Sequence, residues 1–204
     1  MKHRFLIMLK MSLLMAIIIA SFSCTGQTMR IRVEPGVEFQ DTRKFPAKIG
    51  LFAGPEYCQY ALSKKWYSDN VIIQLGPALC DGTEKMLRSI FDQVNILKSI
   101  ESSASLTEIN AIVIAQVVSS DIILPTFRWE EIAALITVKY TFLDSLNRNT
   151  IWVDTFQGQG STKLGSVLSS SKNIQKAMEL AVEDQFHKAF EGIFNSNLSF
   201  RNHR

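Results

Sequence analysis

The stretch IAALITVKYTFL (residues 132–143), followed after DSLNRN by TIWVDTFQ (residues 150–157), carries the strongest structural signal in the chain. Ile136, Val138, Tyr140 and Phe142 alternate with Thr137, Lys139 and Thr141. Such a period of two describes a strand with one face buried and one wet, as in an antiparallel sheet. The polar run 144–149 between the two apolar segments reads as the turn of a long hairpin.

Downstream, GQGSTKLGSVLSSSK (residues 158–172) is Gly/Ser-rich and reads as a loop. A helix over 171–195 follows, with Ile174, Ala177, Met178, Ala181, Phe186, Ala189, Phe190 and Ile193 forming its apolar stripe. Upstream, residues 48–53 form a short apolar run closed by Gly54-Pro55, and 71–75 form another closed by Gly76-Pro77; both read as strands. Met86, Leu87, Ile90, Phe91 and Val94 predict a helix over 77–94, with Pro77 tolerated in its first turn. Gly82 weakens the first half, so the regular part is expected from Thr83. Residues 96–100 are a further short strand, and 101–105 a loop. AIVIAQVV (residues 111–118) is apolar on both faces and reads as a central strand buried on two sides, with 122–124 a short piece before Pro125. The expected fold is α+β: a mostly antiparallel sheet with two main helices packed on one face.

The first residues decide the compartment. Lys2, His3, Arg4 and Lys10 precede the apolar run MSLLMAIIIASFS, which ends at Cys24, and no acid occurs before that cysteine. The core of the run, residues 11–20, would cover about 15 Å as a helix, about half of a bilayer's hydrocarbon thickness. Residues 1–23 therefore read as an export signal. With Ser23 before Cys24 the leader resembles the lipoprotein signal of bacteria, which implies that the cysteine is acylated and becomes the new N-terminus. Ser21 and Phe22 depart from that signal's usual leucine and small residue. Ser21 and Ser23 also satisfy a small-x-small cleavage site, so plain secretion is the alternative, with an uncleaved anchor as a third. Thr25 in place of an acid after the cysteine fits an outer-membrane lipoprotein facing the periplasm.

The whole chain carries 22 basic and 19 acidic residues. Lys2, Arg4 and Lys10 lie in the leader, so the mature chain is balanced at nineteen of each. It lacks the basic surplus that phosphate-backbone binding needs, and no nucleic-acid partner is expected. Residues 24–46 read as a polar tether with an edge strand in which Met29, Ile31 and Val33 alternate with polar residues. Residues 47–197 form one α+β domain, and 198–204 a polar tail.

A search for chemistry finds no catalytic constellation. His187 sits on the polar side of the last helix and His203 in the tail, and neither has a partner that would make it a general base. No spacing matches a metal site, and no cofactor is implied. Ser161, Thr162 and Lys163 follow Gly158 and Gly160, but the glycine spacing fits no phosphate-cradling loop. Glu130 and Glu131, being adjacent, would face opposite ways on a strand. Cys58 and Cys80 are an even pair after leader removal. An oxidising periplasm favours a disulfide between them; a reducing compartment would leave two buried thiols. The segment EYCQYALSKKWY holds Tyr57, Tyr60, Trp66 and Tyr67. Such residues either pack at a core rim or form a binding surface, and they are the best surface candidates in the chain.

The charged hairpin turn (residues 143–149), the step Trp152-Val153-Asp154, the pair Gly158 and Gly160, and the Ala-rich final helix resemble small envelope lipoproteins of Gram-negative bacteria. The curli-secretion lipoprotein and the lipoprotein activators of peptidoglycan synthases are similar in these features. The resemblance spans residues 132–194 plus the leader. It implies a non-enzymatic envelope component, and it assigns no residue a role. The leading expectation is a lipoprotein tethered through Cys24, acting as an accessory or adaptor on a protein partner in envelope assembly or transport. A periplasmic binding module for an apolar ligand is the second; a secreted protein of another activity, an enzyme included, is the third.

Overall fold

A computed structural model describes residues 26–39, 44–100, 109–126, 130–163 and 170–196. The leader, Cys24, and the tail from 197 onward fall outside the described residues. In chain order the elements are β1 (Thr28–Arg32), β2 (Phe45–Phe52), α1 (Pro55–Cys58), β3 (Ala61–Trp66), β4 (Asp69–Gln74), α2 (Gly76–Ile90), β5 (Phe91–Ile96), β6 (Ala111–Ile123), β7 (Glu131–Asp144), β8 (Thr150–Lys163) and α3 (Ser170–Asn195). The class is α+β. Five strands make a sheet in the order β5-β2-β6-β7-β8, and three make a smaller one, β1-β4-β3.

The hairpin forms as its alternation dictates. Ile132, Ala134, Ile136, Val138, Tyr140 and Phe142 of β7 are all buried on one face, and β7 pairs antiparallel with both β6 and β8. On β8, Trp152 meets Phe142 edge-on at 5.3 Å. α3 lies across β7 and β8 and touches α2, which packs against β5. Its stripe residues Ile174, Ala177, Met178, Ala181, Phe186, Ala189 and Ile193 are buried in the same core. Each large apolar side chain buried there contributes about 1.5–3 kcal/mol. Ile31 of β1, with Val71 and Ile73 of β4, closes that core from the smaller sheet.

Several expectations change. The helix over 77–94 starts at Gly76 and ends at Ile90, and Phe91 begins a strand parallel to β2. Gly82 does not delay the helix, because the ring of Phe186 fills the space where its Cβ would stand. β6 is one strand, not two pieces, and it is buried on both sides only at its start. Ala111, Ile112 and Val113 are fully buried, whereas Val118 is 58% exposed. The outer side of that start holds a small cluster of Leu97, Ile109 and Ile112. β8 runs through Gly158 and Gly160 to Lys163, where a loop was expected. The edge strand expected within 24–46 is β1, at one edge of the smaller sheet and paired parallel with β4.

Candidate functional site

A groove on the surface follows from where β2 stops. β2 and β6 pair only as far as Phe52 and Ile114. Gly54-Pro55 then turns the chain into the single-turn helix α1. Further along, the same side of β6 is met by β3, through side chains and not through a backbone ladder. Tyr60 and Ser120 share a hydrogen bond between hydroxyls at 2.8 Å, and Lys64 donates to Asp121 at 2.7 Å. Trp66 Nε1 donates to the Pro125 carbonyl at 3.1 Å, and the Tyr67 hydroxyl donates to the backbone carbonyl of Thr126. Between the end of β2 and the start of β3 the sheets fork around α1. The fork leaves a groove of about 770 Å³, bordered by Phe52, Glu56, Tyr57, Tyr60 and residues 114–118 of β6. A register shift between Val117 and Ser119 makes Val118 the extra residue of a bulge. It therefore turns outward at the mouth of the groove, as bulges re-aim side chains.

A four-residue helix has no stability of its own, so α1 needs outside restraint. Cys58 and Cys80 supply one: their sulfurs are joined at 2.17 Å with Cα atoms 5.1 Å apart, which ties α1 to α2. Tyr57 supplies another. Only 3% exposed, it sends its hydroxyl to Thr83 Oγ1 at 2.7 Å. Nearby, Gln185 Nε2 donates to the Tyr140 hydroxyl at 3.3 Å, so four elements meet around one buried polar cluster. Burial, with Tyr140 beside it, pushes the Tyr57 phenol well above its ordinary pKa, and burial also raises that of Tyr140. Both hydroxyls therefore stay protonated at neutral pH and hold geometry; they are not bases. Losing one partner here would leave a buried hydroxyl unpaired, a cost of about 1–3 kcal/mol.

The four aromatic candidates are not one surface. Tyr57 is in the core and Tyr60 is half-buried on the rim of the groove, whereas Trp66 and Tyr67 sit at the far end of β3, about 20 Å along the strand. Tyr67 alone of the four is well exposed, at 70%. His187 is exposed on α3, its ring 6.4 Å from that of Phe39. Ser161, Thr162 and Lys163 lie on β8, with Thr162 Oγ1 donating to the Asn173 carbonyl at 2.9 Å. Glu130 accepts from the Thr126 N–H at 2.8 Å, and Glu131 opens β7. Among the described residues no three His, Cys, Asp or Glu side chains are grouped to hold a metal ion. Phe52, Val117 and Val118 were not singled out from sequence. They read as ordinary strand residues, and their role comes from an early strand end and a bulge.

No family model matches the chain, and no curated protein does. Solved structures resemble it remotely. Protein XCC0632 from Xanthomonas campestris is 9% identical with a TM-score of 0.45, over 80% of this chain and 94% of that one. A minor lipoprotein from Acinetobacter baumannii is 12% identical with a TM-score of 0.47, over 74% and 93%. Lipoprotein GNA1162 from Neisseria meningitidis is 8% identical with a TM-score of 0.36, over 74% and 100%. These likenesses are too distant to pass an activity from those proteins to this chain.

Proposed function

We propose that this chain is a non-enzymatic lipoprotein of the cell envelope, held to the outer membrane through acylated Cys24, and that it works by holding a protein partner in the groove at the fork of its two sheets. The groove is the observation that carries this reading. Its walls are mostly aromatic and aliphatic, with Glu56 and Gln116 among them, and α1 beneath it is fixed by the Cys58–Cys80 bond and the Tyr57–Thr83 hydrogen bond. Such a site offers shape and apolar area to a partner. Tethering raises the local concentration of a weak binder near a membrane partner, so modest affinity suffices. The leader supports the anchor, since its cysteine follows a basic and then an apolar segment.

The anchor has a direct test. Protein recovered from its native envelope should carry acyl mass on Cys24 and sediment with membranes, and Cys24→Ala should carry none and be released. A soluble wild-type protein with an unmodified N-terminus would contradict the lipoprotein reading. A second reading keeps the groove and changes the occupant to an apolar small molecule, because about 770 Å³ lies within the range of ligand pockets. Mass spectrometry of the intact, non-denatured protein separates the two, since only the second leaves a co-purified ligand mass.

A further inference from the structure

The described chain begins at a fixed place. Gly26 lies against the backbone of Ser68, so closely that a Cβ there would stand 1.9 Å from the Ser68 carbonyl oxygen. Gln27 N–H donates to Asp69 Oδ1 at 2.9 Å, and Asn70 N–H donates to the Gln27 carbonyl at 2.9 Å. The start of the body is thus pinned to the β3–β4 turn. Cys24 is two residues before Gly26, and two residues reach at most about 7 Å. An acyl chain on that cysteine would bring the β3–β4 turn to the headgroups of the bilayer.

What the turn presents there suits a bilayer surface. Tyr67 is 70% exposed, at a φ of 53° that residues other than glycine rarely adopt. Trp66 lies beside it, half-buried, with ring centroids 5.9 Å apart and its N–H on the Pro125 carbonyl. Ile123, at the end of β6, is 56% exposed, and Lys65 is exposed between them. These residues share a shallow concavity of about 350 Å³ with residues 122–126. Of the acids at this end, Asp121 is paired with Lys64, Asp69 and Glu130 accept the Gln27 and Thr126 N–H groups, and Glu131 is exposed at the start of β7. Trp and Tyr favour the level of lipid headgroups, where one part of the ring is apolar and the other finds water, and lysines reach past them to anionic groups.

We infer that the β3–β4 end, with Trp66, Tyr67, Ile123 and Lys65, rests on the phospholipid surface as a second contact beside the anchor. The inference depends on acylation of Cys24. It also orients the body: β6 rises from the membrane, and its groove residue Val118 stands about 17 Å above Ile123 at about 3.3 Å per residue. Tryptophan fluorescence tests it. The acylated full chain is placed in phosphatidylethanolamine–phosphatidylglycerol vesicles, with and without bromine on the acyl chains, and the N-terminal mass is read on the same sample. Brominated lipid should quench the wild type, and Trp66→Phe, still folded by circular dichroism, should lose most of that quenching. If Trp66→Phe unfolds, the double variant Lys65→Glu with Tyr67→Ser takes its place and should weaken the quenching of Trp66. Equal quenching in wild type and variant, or none in an acylated wild type, overturns the surface contact and leaves the anchor standing. A chain without acyl mass removes the anchor, and with it this inference.

Discussion

Replacing Gly158 or Gly160 with valine should unfold the domain or cost it most of its stability. A Cβ at Gly158 would stand 2.0 Å from the Ala181 carbonyl oxygen and 2.5 Å from Gln185 Cβ. At Gly160 it would stand 2.1 Å from the Ala177 carbonyl oxygen and 2.5 Å from Ala181 N. These neighbours are helix backbone, or in Gln185 a Cβ that the backbone fixes, and none can rotate away as a side-chain end can. Neither glycine has positive φ, so space, and not conformational freedom, is what each supplies. Even alanine should cost about 3 kcal/mol, the upper part of the range for overpacking, and valine more. Gly36→Ala is the control: the nearest atom to its added Cβ is Glu183 Oε1 at 3.7 Å, so a change within about 0.5 kcal/mol is expected. Denaturant unfolding reads all three. A Gly160→Ala protein as stable as the wild type would mean that α3 does not lie on β8 at this distance.

Loss of the Cys58–Cys80 bond should be the next largest effect. The bond closes a chain segment with a sequence separation of 22, for which the loop-entropy account gives about 3 kcal/mol. In a domain of this size that lowers the melting temperature by about 6–12 °C. In the native protein both thiols should resist alkylation until a reductant is added, and Cys58→Ser with Cys80→Ser should melt lower by that amount. The damage should centre on α1, because the bond and Tyr57 hold it to α2. Two freely alkylated thiols in unreduced, denatured protein would show that the pair is core packing only.

How much of this was legible in the residues depends on how local the causes are. The β7 alternation and the α3 stripe are local, and both elements formed where the periodicity placed them. Gly158 and Gly160 read as a loop because glycine is a poor strand former. Their reason is a helix with Ala177 and Ala181 that arrives later in the chain, which no local pattern reveals. The segment from Tyr57 to Tyr67 left core-rim packing and a binding surface both open, because Tyr and Trp suit either. In the fold, Lys64 and Trp66 turn toward β6 and bond Asp121 and Pro125. The end of α2 was misplaced because Phe91 and Val94 continue the helical spacing and are buried anyway, but as strand residues beside β2. The groove had no sequence signal: it is the space left where β2 ends early and two sheets part.

The central claim is that a protein partner occupies that space. Its most direct test places a photo-crosslinking amino acid at Val118, at the groove mouth, in the acylated protein within its native envelope, with the same substitution at Val153 of β8 as comparison. Val118 and Val153 are 58% and 47% exposed. One protein adduct should form from position 118 and none from 153, and Tyr60→Ala on the groove rim should diminish it while the domain stays folded. No adduct from position 118, or the same adduct undiminished by Tyr60→Ala, would contradict the groove as the site of action.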